Sequence, residues 1–262
     1  MIPKSAIIEW QTKVPWSNLA QVEQDLIICR ALTAIYKDPF LSEELAFRGG
    51  TALNKLYLLP QPRYSEYIDL VQIKPAPIKP IIVAIQKVLS HLGKCSVEQK
   101  RNNNTLKFRI DSEIPPIQKI RLKIEINCRE HFSVLPLEKV LFSVENQWFS
   151  DSAELITYNL NELVGTKLRA LYQRRKGRDL FDLYRALKSG LINPDVSIEC
   201  YKRYISTPPN VIPTQKEFFK NLEDKMKEED FLTDTTLLLR PEEDFSPEEA
   251  FELVCDTFIR KL

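Results

Sequence analysis

The 262-residue chain has no C-x-x-C pair, and its five cysteines (Cys29, Cys95, Cys128, Cys200, Cys255) are scattered, with only His91 and His131 beside them. A zinc site needs clustered thiolates or imidazoles and a disulfide framework needs paired cysteines. The distribution argues against both and fits separate thiols in a reducing compartment. No stretch approaches the roughly 18 apolar residues that cross a bilayer. The N-terminus, MIPKSAIIEWQTK, lacks the charged start and apolar run of a secretion signal. A soluble cytoplasmic protein with no membrane partner is the expectation. Nor is one sign of charge in excess: 37 basic against 36 acidic side chains leave +1, so overall charge is no argument for a polyanion partner. Internal repeats and low-complexity tracts are also missing. What is present, 44% hydrophobic residues over this length, suffices for one large domain or two smaller ones with a packed core.

The neutrality is an average over polarised segments. Residues 167–178 contain Lys167, Arg169, Arg174, Arg175, Lys176 and Arg178 without an acid, whereas residues 215–252 carry five basic and thirteen acidic side chains. Apolar positions at helical spacing predict a helix over 17–37, with Ser17 as its N-cap and Pro39 as its stop. A short strand over 45–48 runs into Gly49-Gly50-Thr51 and a helical run halted by Pro60 and Pro62. Residues 67–73 read as a strand, and 78–93 as a helix closed by Gly93. Residues 94–149 alternate like antiparallel strands. Helical spacing returns from about residue 158, with Gly177 capping one helix and Asp179 starting the next. The expected organisation is an α/β part over 1–157 and a helical part over 158–262.

Three features could carry chemistry. Glycines in the Gly49-Gly50-Thr51 turn let backbone N–H groups approach an anion at a helix start, and Thr51 adds a hydroxyl, a combination suited to phosphates. The same turn is also ordinary strand-to-helix geometry. In 121–127, Leu122, Ile124 and Ile126 face one way and Arg121, Lys123, Glu125 and Asn127 the other. If that strand neighbours 67–73, Asp69 and Glu125 converge, and hard divalent cations take such carboxylates. The alternative is a cross-strand charge pair among Arg and Lys. The basic run, finally, repels itself unless relieved by polyphosphate, by RNA or by the acidic C-terminal third, with Asp179 and Asp182 orienting the cations.

Taken in order, Phe47 to Leu56 (FRGGTALNKL), Arg63 to Leu70 (RYSEYIDL), Lys123 to Asn127 (KIEIN), Gly165 to Leu171 (GTKLRAL) and Lys176 to Leu183 (KGRDLFDL) resemble the motifs of the AbiEii/AbiGii nucleotidyltransferase toxins. The resemblance runs from about residue 45 to 190. It implies an α+β fold: a DNA-polymerase-β-like nucleotidyltransferase core with a mixed sheet, followed by a C-terminal helical domain. It also implies Mg²⁺ dependence, with Mn²⁺ as an alternative, an NTP substrate, and a toxin of a toxin–antitoxin or abortive-infection system with a cognate antitoxin. Some relatives add nucleotides to tRNA. By position, Gly49, Gly50 and Thr51 would hold the triphosphate, Asp69 would bind metal and Glu125 would add a further carboxylate. Lys167 would contact phosphate, and Asp182, with Arg178 and Asp179 nearby, would complete the helical side. Arg169, Arg174, Arg175 and Lys176 would face RNA.

One position departs from the pattern Ser-Glu-Asp-Ile-Asp: Tyr67 stands where the first aspartate belongs. A neutral phenol with a pKa of about 10 does not replace a carboxylate on a hard metal. Glu66 next door points to the opposite face unless a bulge turns it. A degenerate member that binds without catalysis, a form inactivated by design, and an enzyme with rearranged ligands all accommodate this residue. Beside the transferase reading stand a non-catalytic nucleotide- or RNA-binding protein and an interaction module that uses the acidic 215–252 segment.

Overall fold

The computed structural model of the chain describes residues 2–100, 102–206 and 212–262, and it divides into two compact units. The first comprises Met1–Ala52 and Tyr64–Tyr158, the second Leu53–Arg63 and Asn159–Leu262. The helical unit therefore takes one segment from inside the N-terminal half, which a division at 157/158 does not include.

In the first unit, helices α1 (Lys4–Gln11), α2 (Leu19–Lys37) and α3 (Pro39–Glu44) lead into strand β1 (Leu45–Arg48) and the short helix α4 (Gly49–Ala52). Then follow β2 (Tyr67–Gln72), α5 (Lys79–Val88), β3 (Cys95–Lys100), β4 (Asn103–Asp111), β5 (Lys119–Asn127), β6 (Glu138–Val144) and β7 (Asp151–Thr157). The strands form one mixed sheet in the order β3-β4-β5-β2-β1-β7-β6, with β2 parallel to β5 and antiparallel to β1. Alternation decides which way each strand faces. Ile68, Leu122, Ile124 and Ile126 are fully buried, while Tyr67, Asp69, Lys123 and Glu125 are half-buried on the opposite face. Burying each such Ile or Leu is worth about 1.5–3 kcal/mol, so a one-residue slip that reversed the faces would be costly.

Helix α2 packs on β2, β5, β6 and β7. Its N-cap is Asn18 and not Ser17: Asn18 has the extended backbone, and its side-chain oxygen accepts the Ala20 N–H at 2.9 Å. Pro39 also does more than stop a helix. It occupies the first turn of α3, where its missing N–H needs no partner, and Asp38 caps that helix by accepting from the Leu41 N–H.

The second unit holds a π-helical turn (Leu53–Tyr57) and helices α6 (Leu160–Gln173), α7 (Gly177–Lys188), α8 (Pro194–Ile205), α9 (Gln215–Lys225), α10 (Glu229–Leu232) and α11 (Pro247–Thr257). Gly177 is the first residue of α7 and Lys176 its N-cap, so Asp179, expected as the cap, lies buried inside the first turn three residues past Lys176. Close packing requires glycine at 177: a Cβ there would sit 2.0 Å from the Phe231 carbonyl oxygen. Gly165 allows α6 and α8 to touch in the same way, since a Cβ there would lie 2.7 Å from both the Cys200 Cβ and the Ser197 carbonyl oxygen. Among the described residues no helix is long and apolar enough to cross a membrane.

Gly165→Ala should force α6 and α8 apart and destabilise the helical unit by about 1–3 kcal/mol. A urea titration checks this through a lowered midpoint at unchanged slope.

Candidate active site

The strand register builds the first set of predicted residues. Arg48 of β1 pairs with Asp69 of β2, Asp69 with Glu125 of β5, and Glu125 with Thr105 of β4. Residues paired directly across strands share a face, so these side chains form one row along the half-buried polar face. One step along, Tyr67 pairs with Lys123 and Lys123 with Lys107. The Lys123 ammonium lies 4.7 Å from the centre of the Tyr67 ring and forms an ion pair with Glu125. Tyr67 thus stands on the same face as Asp69, two residues away, with a cation over its ring.

The glycine turn is bound to this row. Gly49 has φ +78°, and a Cβ on it would lie 2.3 Å from Asp69 Oδ2, so the position requires glycine for backbone conformation and for space. The buried Thr51 hydroxyl donates to the Tyr67 carbonyl at 2.6 Å. The Thr51 proton therefore fastens β2 to the turn, and Gly50 sits half-buried between these contacts. Arg48 reaches Glu130 Oε2 with Nη1 at 2.6 Å. Burial disfavours its charge, but the Glu130 carboxylate outweighs that and raises the Arg48 pKa. Sequence reading missed Glu130. The signal was Asn127 three residues earlier, whose side-chain oxygen accepts the N–H groups of Arg129 and Glu130 in an Asx turn.

A pair of Mg²⁺ ions requires several oxygen donors in near-octahedral geometry. This face offers Asp69, a Glu125 already paired with Lys123, and a neutral phenol at Tyr67. Among the described residues no group of three or more His, Cys, Asp or Glu side chains could hold a metal ion. These donors do not fit a two-ion site.

The second set lies in the helical unit. Asp182 is fully buried and accepts from Arg63 Nε at 2.6 Å, Arg63 Nη2 at 2.7 Å and Asn54 Nδ2 at 3.1 Å, and Lys167 Nζ lies 2.8 Å away. The same ammonium donates to Asp179 Oδ1 at 2.9 Å, and Arg174 clasps Asp179 through Nε at 2.5 Å and Nη2 at 2.7 Å. Burial alone would raise both carboxyl pKa values. Arg63 and Lys167 around Asp182, and Lys167 and Arg174 around Asp179, outweigh it and hold both below the ordinary carboxylate range. Lys167, expected against phosphate, is buried between two carboxylates. Arg63 and Asn54 were not singled out from sequence, because only the fold brings Leu53–Arg63 to α6 and α7.

Of the ways in which the basic run could be relieved, pairing with Asp179 and with the acidic C-terminal third is the one seen. Arg174 engages Asp179, Arg175 engages Glu228, and Lys176 and Arg178 both engage Asp234, while the Arg169 guanidinium lies 5.2 Å from the centre of the Tyr204 ring. Glu228 and Asp234 come from the acidic C-terminal segment, which also supplies Glu243 to Arg185 and Glu249 to Lys188.

The profile of the family described as "Nucleotidyl transferase AbiEii toxin, Type IV TA system" matches residues 30–256. The chain belongs to that family. Solved structures agree in fold. MenT4, a nucleotidyltransferase toxin from Mycobacterium tuberculosis, superposes with a TM-score of 0.70 at 14% identity, over 100% of this chain and 91% of its own. JHP933 from Helicobacter pylori gives 0.58 at 19% identity over 94% of each chain. No curated protein matches by sequence. As an AbiEii-family nucleotidyltransferase the chain has the α+β architecture expected for it, and its glycine turn, Asp69 and Glu125 meet on one sheet face.

Asp182→Asn should cost about 3–5 kcal/mol, because it leaves buried cations short of a carboxylate. Since the Asp182 pKa is lower in the folded chain than its ordinary 3.8, the unfolded chain binds more protons below that pH. Stability should therefore fall as the pH drops through and below that value. Urea midpoints measured from pH 6 down to 3 should show a shallower acid decline in the variant than in the parent.

Proposed function

We propose that this AbiEii-family chain transfers a nucleotide from an NTP to an RNA acceptor, tRNA by the family resemblance, and that Tyr67 keeps the reaction slow. The observation that carries this reading is the in-register pairing of Asp69 with Glu125 directly against Gly49. In the reaction an acceptor oxygen attacks the α-phosphorus and pyrophosphate leaves, so catalysis is mainly positioning and stabilisation of negative charge. Gly49 and Gly50 would offer backbone N–H groups to phosphate oxygens, and Arg48 keeps a positive charge beside Asp69. A divalent metal, where bound, supplies charge neutralisation to such reactions. Tyr67 withholds one carboxylate from that role. The setting is the cytoplasm, with a cognate antitoxin restraining the toxin.

A second reading, a family member that binds NTP or RNA without turnover, is favoured by Lys123, whose ammonium occupies the space between Tyr67 and Glu125.

Labelled-NTP transfer to total RNA, with Mg²⁺ or Mn²⁺ present, tests both. Tyr67→Asp should transfer faster by on the order of 100-fold, equivalent to about 2.7 kcal/mol of transition-state stabilisation. Equal rates for the two proteins would sink the assignment of Tyr67 as the brake, and no transfer by either would favour the binding reading.

A further inference from the structure

We propose that the polar face of β4 and β5 beside Tyr67 is a channel for a phosphodiester strand. For its ligand, the RNA acceptor, this inference rests on the function proposed above. A groove of about 580 Å³ lies there, lined by Lys107, Arg109, Lys119, Arg121, Lys123 and Tyr67, with Glu66 as its one acidic lining residue. The strand register sets like charges directly opposite each other: Lys107 against Lys123 and Arg109 against Arg121. Such pairs destabilise a sheet unless an anion relieves them.

The lysines have internal relief. Lys107 reaches Glu98 at 2.8 Å, Lys119 pairs with Asp111, and Lys123 pairs with Glu125. Arg109 and Arg121 are both exposed and, among the described residues, neither guanidinium has an acidic partner. These are the two groups whose planar donor fork matches a phosphate. Lys119, Arg121 and Lys123 follow one another at two-residue intervals on one strand face, about 7 Å apart at roughly 3.4 Å of rise per residue. That is a straight cationic row suited to a linear polyanion more than to one small phosphate. Gln24 also lines the groove, its Nε2 donating to the Glu66 and Arg121 carbonyls at 3.2 and 3.1 Å.

The row ends at Lys123 and Tyr67, the immediate neighbours of Glu125 and Asp69. A strand lying along it would deliver its terminus to the carboxylate pair. An acidic peptide could satisfy the charges, but two bare guanidiniums leading to a nucleotide-transfer site favour phosphodiesters.

The test is fluorescence anisotropy of a fluorescein-labelled, mixed-sequence single-stranded RNA titrated with full-length protein at several salt concentrations. Arg109→Gln/Arg121→Gln should bind about tenfold or more weakly, with the slope of log affinity against log salt shallower by about 1.4, or 0.7 for each phosphate no longer neutralised. Arg109→Lys/Arg121→Lys should keep the slope. Lys202→Gln/Lys220→Gln, which removes the same charge from α8 and α9, should leave affinity unchanged. An unchanged urea midpoint distinguishes weaker binding from unfolding. RNA binding that ignores the two arginines would overturn the channel and leave the RNA-acceptor reading standing. Binding of labelled NTP without any RNA binding would overturn the acceptor reading and the channel with it. Preference for a poly-glutamate peptide over RNA would overturn the channel in favour of a protein partner.

Discussion

The parallel pairing of β2 with β5 is the constraint on which the first unit's site depends. Those strands lie far apart in sequence, and their partnership at one register puts Asp69 beside Glu125 and Tyr67 beside Lys123. The apolar residues between them, Ile68 and Ile124 among others, enforce that register through their own burial. The polar face is thus specified from behind: its chemistry can change residue by residue while the hydrophobic side keeps the geometry. Tyr67 is such a change, a substitution that the strand tolerates and the chemistry registers.

Much of this was legible in sequence, because period-two alternation in KIEIN and YIDL says which side chains share a face. The neighbour relation itself was not legible, since no local pattern announces that two distant strands pair in parallel. Helix boundaries differed at two starts. Asn18, with extended backbone and a side chain that accepts the Ala20 N–H, caps α2 in place of Ser17, and α7 begins at Gly177, two residues before Asp179, where the Phe231 carbonyl leaves no room for a side chain. Glu130 and Arg63 were invisible as partners because an ion pair across 82 or 119 residues leaves no spacing signature.

Charge was the feature hardest to read. A run of six cations looks like an open polyanion surface, yet its members close onto acids from the same unit and onto a tyrosine ring. On β4 and β5 the cations are diluted by alternating apolar residues, so no run stands out, and folding aligns them. Linear density therefore misjudges both places. What matters is whether the opposing element supplies carboxylates, which α10 and its flanks do for the first group and the β4–β5 pairing does not for Arg109 and Arg121.

The helical unit borrows Leu53–Arg63 from within the α/β half, and with it the guanidinium and amide that complete the Asp182 cluster. Gene fusion and recombination exchange contiguous stretches. A single crossover near residue 158 would pair one ancestor's Arg63 with another's Asp182 and Lys167, and any mismatch would strand charge in a dry interior. The two halves are thus bound to be inherited together, even though each has a core of its own.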